Sequence, residues 1–87
     1  MKAQITFNPN EFEHYADYES FIFNVEYEMS VQGGGRPFVV YNDDNTITVD
    51  VDTRPFNGLN RPAIDILFDI AKRYGYSEIK TNIQIFN

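Results

Sequence analysis

The sequence predicts an α+β fold in which an antiparallel sheet of four to five strands packs on one main C-terminal helix. Apolar and polar residues alternate with period two in several stretches, and one stretch near the C-terminus has helical periodicity. Hydrophobic residues make up 43% of the chain and aromatic residues 16%, which is enough material for one modest core. The predicted order is β-(α)-β-β-β-α-β, within a single domain covering residues 1–87.

The N-terminal segment predicts a strand followed by a short helix. Residues 2–7 alternate, and Pro9 ends the strand because proline cannot donate a ladder hydrogen bond. Residues 10–18 are predicted as the short helix, capped by Asn10 and carrying acidic residues near its positive end.

The middle of the chain predicts a three-stranded antiparallel meander. Residues 20–31 alternate strictly over twelve positions, which is typical of a long strand with one buried face. Three consecutive glycines, Gly33 to Gly35, indicate an open connection to a strand at residues 38–41. After a tight turn at Asn42–Asn45, residues 46–52 alternate again. Their inward side chains are predicted to be Ile47, Val49 and Val51.

The C-terminal part predicts the main helix over residues 61–74 and a last strand over residues 79–85. Asn60 is a suitable N-cap, and Gly75 is a suitable residue just beyond the C-terminus of the helix. The apolar side chains of this helix recur with helical spacing: Ala63, Ile64, Leu67, Phe68, Ile70, Ala71 and Tyr74.

The charge is polarised along the chain. Residues 1–52 contain ten of the thirteen acidic residues and carry a formal charge of −8, whereas residues 53–87 carry +2. A folded acidic surface repels nucleic acid and anionic membranes, and it attracts proteins with basic surfaces. We therefore expect a protein partner and no direct binding to nucleic acid or membrane.

The acidic residues are the predicted partner-binding site, with Glu26, Glu28, Asp50 and Asp52 expected on the open face of the sheet. The full predicted set is Glu11, Glu13, Asp17, Glu19, Glu26, Glu28, Asp43, Asp44, Asp50 and Asp52. Alternate residues of a strand lie about 6.7 Å apart, and the phosphates of one DNA strand about 3.4 Å. Mimicry of a phosphate backbone would therefore require several rows or a dimer. A solvated face that only keeps the protein soluble is the competing interpretation.

Catalytic, metal and cofactor sites are not expected. The chain has no Cys, and His14 is its only His, with no nucleophile motif beside it. Asp43, Asp44 and Asn45, together with Asp50 or Asp52, offer oxygen ligands, but the spacing of an EF-hand is absent. The N-terminus lacks the apolar run of a secretory signal, and no stretch approaches the roughly 18 apolar residues of a membrane span. A cytoplasmic location is therefore expected.

Two resemblances bear on function. The predicted order of residues 10–74, helix, three strands and helix, resembles a double-stranded-RNA-binding domain. The position where that family presents lysines holds Asn60, Arg61, Pro62 and Ala63, and the net charge has the opposite sign. The small, acidic, cysteine-free composition is similar to that of phage and mobile-element inhibitors, including anti-restriction and anti-CRISPR proteins. We expect a non-enzymatic inhibitor or adaptor that acts on a basic nucleic-acid-binding surface of a defence nuclease. The alternative is a homo-oligomeric structural or assembly module.

Overall fold

The computed structural model of the protein describes residues 2–32, 37–52, 62–77 and 82–86. The elements are strand β1 (Lys2–Phe7), a 3₁₀ turn (Pro9–Glu11), helix α1 (Tyr15–Val31), strands β2 (Phe38–Tyr41) and β3 (Ile47–Asp52), helix α2 (Ala63–Arg73) and strand β4 (Asn82–Phe86). The sheet has the strand order β2-β3-β1-β4, and each neighbouring pair is antiparallel. The α+β class, with two helices and an antiparallel sheet, is confirmed. This connectivity is that of the split βαβ, or ferredoxin-like, arrangement.

The predicted long strand at residues 20–31 is wrong, because this stretch lies in α1. Two residues turn a helix by about 200° and four by about 400°, so apolar residues at every second position form two stripes on opposite faces. Phe21, Val25 and Met29 form one stripe and are fully buried against the sheet. The other stripe faces solvent. The predicted short helix at residues 10–18 is also wrong in its bounds, since α1 begins only at Tyr15.

The predicted three-stranded meander is consequently wrong as well. β2 and β3 form a hairpin, and the third position beside β3 is taken by β1 from the start of the chain. The predicted turn between β2 and β3 is confirmed. The Asn42 amide donates to the Thr46 carbonyl across 2.9 Å, and Asn45 takes a positive φ of 67°. A three-residue hairpin loop requires such a left-handed residue at its end, which asparagine tolerates.

The two central strands separate a buried face of the sheet from an open one. Ala3 pairs with Val51, Ile5 with Val49 and Phe7 with Ile47, and all six side chains are buried under the helices. The predicted inward direction of Ile47, Val49 and Val51 is therefore confirmed. On the opposite face Thr6 lies across from Thr48, and their hydroxyl oxygens are 3.1 Å apart. Alternation along a strand produces this division.

The main C-terminal helix is confirmed, with its apolar side on the core. Its end follows the Schellman pattern: the Tyr76 amide donates to the Ala71 carbonyl and the Gly75 amide to the Lys72 carbonyl. Gly75 takes the left-handed φ of +92° that the pattern requires, as predicted. The predicted cap Asn60, the glycine connection, and residues 54–61 and 79–81 lie outside the described residues.

A capping box orders the segment between β1 and α1. The Asn8 amide donates to Glu11 Oε1 across 2.7 Å, and the Asn8 side chain accepts from the Asn10 amide across 3.0 Å. Glu11 is only 7% exposed, and its carbonyl accepts the Ser77 amide. Burial raises the pKa of Glu11, and the hydrogen bond from the Asn8 amide opposes that rise.

Removing the Glu11 carboxyl should destabilise the protein in a pH-dependent way. We expect Glu11→Ala to lower the free energy of unfolding by about 1 kcal/mol. Glu11→Gln keeps a side-chain oxygen that can accept the Asn8 amide and should therefore retain most of the wild-type stability. The pKa of Glu11 is higher in the folded than in the unfolded protein. The wild type therefore loses stability as the pH rises from the unfolded-state pKa to the folded-state pKa, because the unfolded chain gives up its proton first. Urea denaturation should therefore show Glu11→Gln gaining stability relative to the wild type as the pH rises above about 4, where the glutamate of the unfolded chain ionises. Equal stability of the Ala and Gln variants would contradict a capping role.

Candidate protein-binding surface

The predicted acidic residues do not share one face of the sheet. Glu26 and Glu28 lie on α1, where two residues turn the helix by about 200°, so they point in different directions. Glu26 is exposed, whereas Glu28 is half-buried with its Oε2 atom 3.4 Å from the Tyr74 hydroxyl. Asp50 lies on β3, on the open face of the sheet. The prediction of one acidic sheet face is wrong, because its two glutamates were assigned to a strand.

The remaining acidic residues lie in three further places. Glu13 is exposed just before α1, and Asp17 and Glu19 lie in the first turns of α1. Glu11 is enclosed in the capping box, which removes its carboxylate from the surface available to a partner. The side chain of Asp52 lies outside the described part of the chain.

Asp43 and Asp44 lie in the β2–β3 turn, where Asp44 has a structural role. Its Oδ1 atom accepts from the Thr46 hydroxyl across 2.6 Å and from the Thr46 amide across 3.2 Å, and these bonds lower the pKa of Asp44. Asn45 at the end of the turn accepts from the Tyr18 hydroxyl across 2.7 Å. The pKa of Tyr18 is raised to about 12, mainly because its hydroxyl is buried and to a smaller extent because of nearby acidic groups. The turn is thereby tied to the first half of α1.

The outward side of α1 carries an apolar stripe that nothing in the described structure covers. Phe23 is 88% exposed, Tyr27 70% and Val31 62%. These residues recur every four positions and lie one above another on the helix surface. We call Phe23, Tyr27 and Val31 the outer stripe. Scattered exposed apolar residues are normal, but contiguous aromatic ones mark interaction sites.

The outer stripe faces Tyr41 of the edge strand β2, whose other exposed side chains lie on the open face of the sheet. Phe38 is 67% exposed, and Val40 and Tyr41 are exposed as well. The Tyr41 hydroxyl lies 3.4 Å from the Ile22 carbonyl and joins the edge strand to α1. Between them runs an open groove of about 470 Å³. Its lining residues are Ile22, Phe23, Glu26, Tyr27, Ser30 and Tyr41.

The charged residues of α1, the helix that borders this surface, are all acidic. They are Asp17, Glu19, Glu26 and Glu28, and the helix contains no Lys or Arg. Glu19 and Glu26 are exposed and lie four and three residues from Phe23, so they border the outer stripe. We call Glu19 and Glu26 the acidic rim. An apolar surface with an acidic rim favours a partner whose own apolar patch is bordered by Lys or Arg.

The sequence interpretation missed the outer stripe because it placed these side chains in the core with Phe21. The signal that separates the two stripes is weak: α1 is apolar on both sides, so it lacks the one-sided pattern of a surface helix. Only Ile22, Val25 and Val31 are β-branched among its seventeen residues, which is few for a strand.

Other kinds of site find no support in the described residues. Within residues 2–32, 37–52, 62–77 and 82–86, no three His, Asp or Glu side chains are grouped closely enough to hold a metal ion. His14 is exposed and precedes α1 as its N-cap residue, where its side chain makes no capping hydrogen bond. None of the helices in this part of the chain has the length and apolar character needed to cross a membrane.

Comparison of this chain with known proteins found no match. No family model matches the sequence, and neither a curated protein nor a solved structure matches the chain. The functional argument therefore depends on the geometry of the outer stripe, the β2 edge and the acidic rim.

Proposed function

We propose that this protein is a non-enzymatic protein-binding module, acting as an adaptor or inhibitor, that docks its partner on the outer stripe of α1 and the adjoining edge of β2. The observation that carries the proposal is the exposure of Phe23 and Tyr27 side by side on one helix face. Burying a large apolar side chain stabilises a complex by about 1.5–3 kcal/mol. Aromatic side chains at the centre of an interface typically contribute most of its binding free energy.

The acidic rim selects a partner with a basic surface. Nucleic-acid-binding proteins, including defence nucleases of the host cytoplasm, present such surfaces, and they remain the partner class we propose. The proposal does not include mimicry of a phosphate backbone, because the carboxylates lie on α1, in the β2–β3 turn and on β3 rather than in rows. The charge contributes association rate and selectivity, and the aromatic side chains contribute affinity.

A second copy of this chain is the competing occupant of the same surface. Pairing two outer stripes would bring Glu19 and Glu26 of both copies close together, with no Lys or Arg on either α1 to offset the repulsion. The net charge of −6 adds a further repulsion between copies. These charges favour a different, basic partner over self-association.

Charged substitution of the outer stripe tests the proposal. The double variant Phe23→Glu, Tyr27→Glu should lose about 100-fold or more in partner affinity, because it removes two aromatic contacts and adds charge at their centre. The matched control Phe23→Leu, Tyr27→Phe keeps the surface apolar and should retain most of the affinity. Partners captured from the native host on the wild type would be identified, and their affinities for all three proteins measured by calorimetry at low and high salt.

Two results would contradict the proposal. Equal affinity of the Glu double variant and its apolar control would show that the partner contacts another surface. Light scattering that shows a wild-type dimer and a monomeric Glu double variant would assign the outer stripe to self-association.

A further inference from the structure

The β2 edge presents backbone groups that its neighbour β3 does not use. In an antiparallel pair, residues bonded to the partner strand alternate with residues whose amide and carbonyl point away from it. The Asn42 amide donates to the Thr46 carbonyl, which fixes this alternation for the hairpin. Val40, opposite Thr48, therefore also faces β3, whereas Val39 and Tyr41 direct their amide and carbonyl groups to the outer edge.

Within the described residues, the short β2 edge carries no Lys, Pro or bulge that would hinder strand addition. Natural edge strands are commonly blunted by Lys, by Pro or by a bulge. The four residues of β2, Phe38–Tyr41, are all apolar or aromatic, and within the described residues β3 is the only strand beside them. Pro37 precedes the strand and does not interrupt these four positions.

The groove beside this edge determines what an added strand would contact. Side chains of a strand paired with β2 alternate between two sides. On one side they meet the groove, with the rings of Phe23 and Tyr27 and the carboxylate of Glu26. On the other side they lie beside Phe38 and Val40, which are exposed on the open face.

We propose that the partner contributes an extended segment that pairs with β2 as an additional strand and seats its side chains in the groove against α1. This inference deepens the proposed function and rests on it. The segment is mainly apolar and carries at least one Lys or Arg at a groove-facing position, where it reaches Glu26. An extended segment satisfies the outward amides and carbonyls of Val39 and Tyr41, which a docked helix, with its own backbone already bonded, leaves unpaired.

The probe is a linear peptide library displayed on phage and selected on the full chain, with counter-selection against Phe23→Glu, Tyr27→Glu. We expect the enriched peptides to show apolar residues with period two and a Lys or Arg in register with them. The best peptide would be synthesised and its affinity measured by fluorescence anisotropy. Glu26→Gln should weaken its binding and reduce the salt dependence.

Backbone pairing is tested separately from side-chain contact. Val39→Pro removes the outward amide, and Val39→Ala is its control because it shortens the side chain and keeps the amide. We expect Val39→Pro to bind the peptide about tenfold more weakly than Val39→Ala. A second measurement avoids any folding defect: the peptide is methylated on its backbone nitrogens one at a time. Methylation should weaken binding to the wild type only at alternate residues.

Three outcomes would overturn the inference. In the first, the selected peptides have apolar residues with helical spacing, and their affinity is the same for Val39→Pro and Val39→Ala and unaffected by backbone methylation. This would show that a helix docks in the groove and would leave the proposed function intact. Peptide-induced dimers of this chain would assign the edge to a second copy. In the third, no selected peptide loses affinity when Phe23 and Tyr27 are replaced by Glu, which would reject the peptide site. The proposed function is tested separately, by the affinity of native partners for the Glu double variant.

Discussion

Phe21→Ala should destabilise the protein by about 3–5 kcal/mol, whereas Phe23→Ala should change its stability by less than about 0.5 kcal/mol. The two residues are of the same type and two positions apart. Phe21 is fully buried, and its ring lies 4.9 Å from that of Phe7 and 5.2 Å from that of Phe12 between ring centroids. Phe23 lies on the opposite side of α1 and is 88% exposed.

Thermal and urea unfolding of the two single variants would measure this difference. A domain of this size loses about 4–8 °C of melting temperature per kcal/mol, so Phe21→Ala should melt at least about 12 °C lower than the wild type. Phe23→Ala is the matched control, since it removes the same atoms from the same helix. Similar losses for both variants would mean that both side chains are buried and that α1 has no free outer face.

The Phe21 and Phe23 pair also shows why the sequence predicted the wrong element here. Apolar residues at every second position satisfy the strand pattern, but they equally describe a helix that is apolar on two opposite sides. A surface helix without a partner seldom has this composition, because its second apolar side is exposed to water. The alternation that misled the strand prediction and the binding surface that we propose are therefore the same feature of the sequence.

Elements with one apolar side were predictable from the sequence. β1 and β3 alternate and each buries one side, and α2 has a single apolar stripe, a left-handed Gly75 at its end and Lys72 in its last turn. In these cases periodicity, capping and burial all indicate the same structure. The position of β1 beside β3 depended on long-range pairing, which no local pattern specifies.

The candidate site was predictable in its charge and not in its geometry. Glu19 and Glu26 are exposed carboxylates, as expected from the sequence, but they lie on a helix beside exposed aromatic side chains rather than on an acidic face of the sheet. Glu11 was counted with the partner-binding acids, although Asn8 followed three residues later by Glu11 is the sequence signature of the capping box that encloses it. The acidic composition therefore suggested a class of partner, and the fold is the basis for the place at which we propose that it binds.

Phe7→Ala should destabilise the protein by about 3–5 kcal/mol and, in addition, weaken partner binding without touching the outer stripe. Phe7 ends β1 and is fully buried. Its ring lies 4.9–6.3 Å, centroid to centroid, from four other rings, those of Phe12, Phe21, Phe68 and Tyr76. These rings come from the segment before α1, from α1 itself, from α2 and from the residues after α2, so Phe7 fixes both helices on the sheet.

The conservative variant Phe7→Leu separates packing volume from ring contacts. It fills most of the space and should lose only about 1–2 kcal/mol, because the edge-to-face ring contacts are gone. Hydrogen exchange of the α1 amides should accelerate strongly in Phe7→Ala and little in Phe7→Leu, since local opening follows the lost packing.

The same pair of variants tests whether the binding surface depends on how α1 is held. Phe7→Ala should weaken partner binding, because the groove requires α1 and β2 to keep fixed positions. The Tyr41–Ile22 and Tyr18–Asn45 hydrogen bonds hold α1 beside the β2–β3 hairpin. We expect these bonds to persist only while α1 packs on Phe7. Phe23→Glu, Tyr27→Glu should lose binding with unchanged hydrogen exchange in the core. If Phe7→Ala bound the partner as tightly as the wild type while its α1 amides exchanged rapidly, the outer stripe would act as an independent helix and the groove would have no part in recognition.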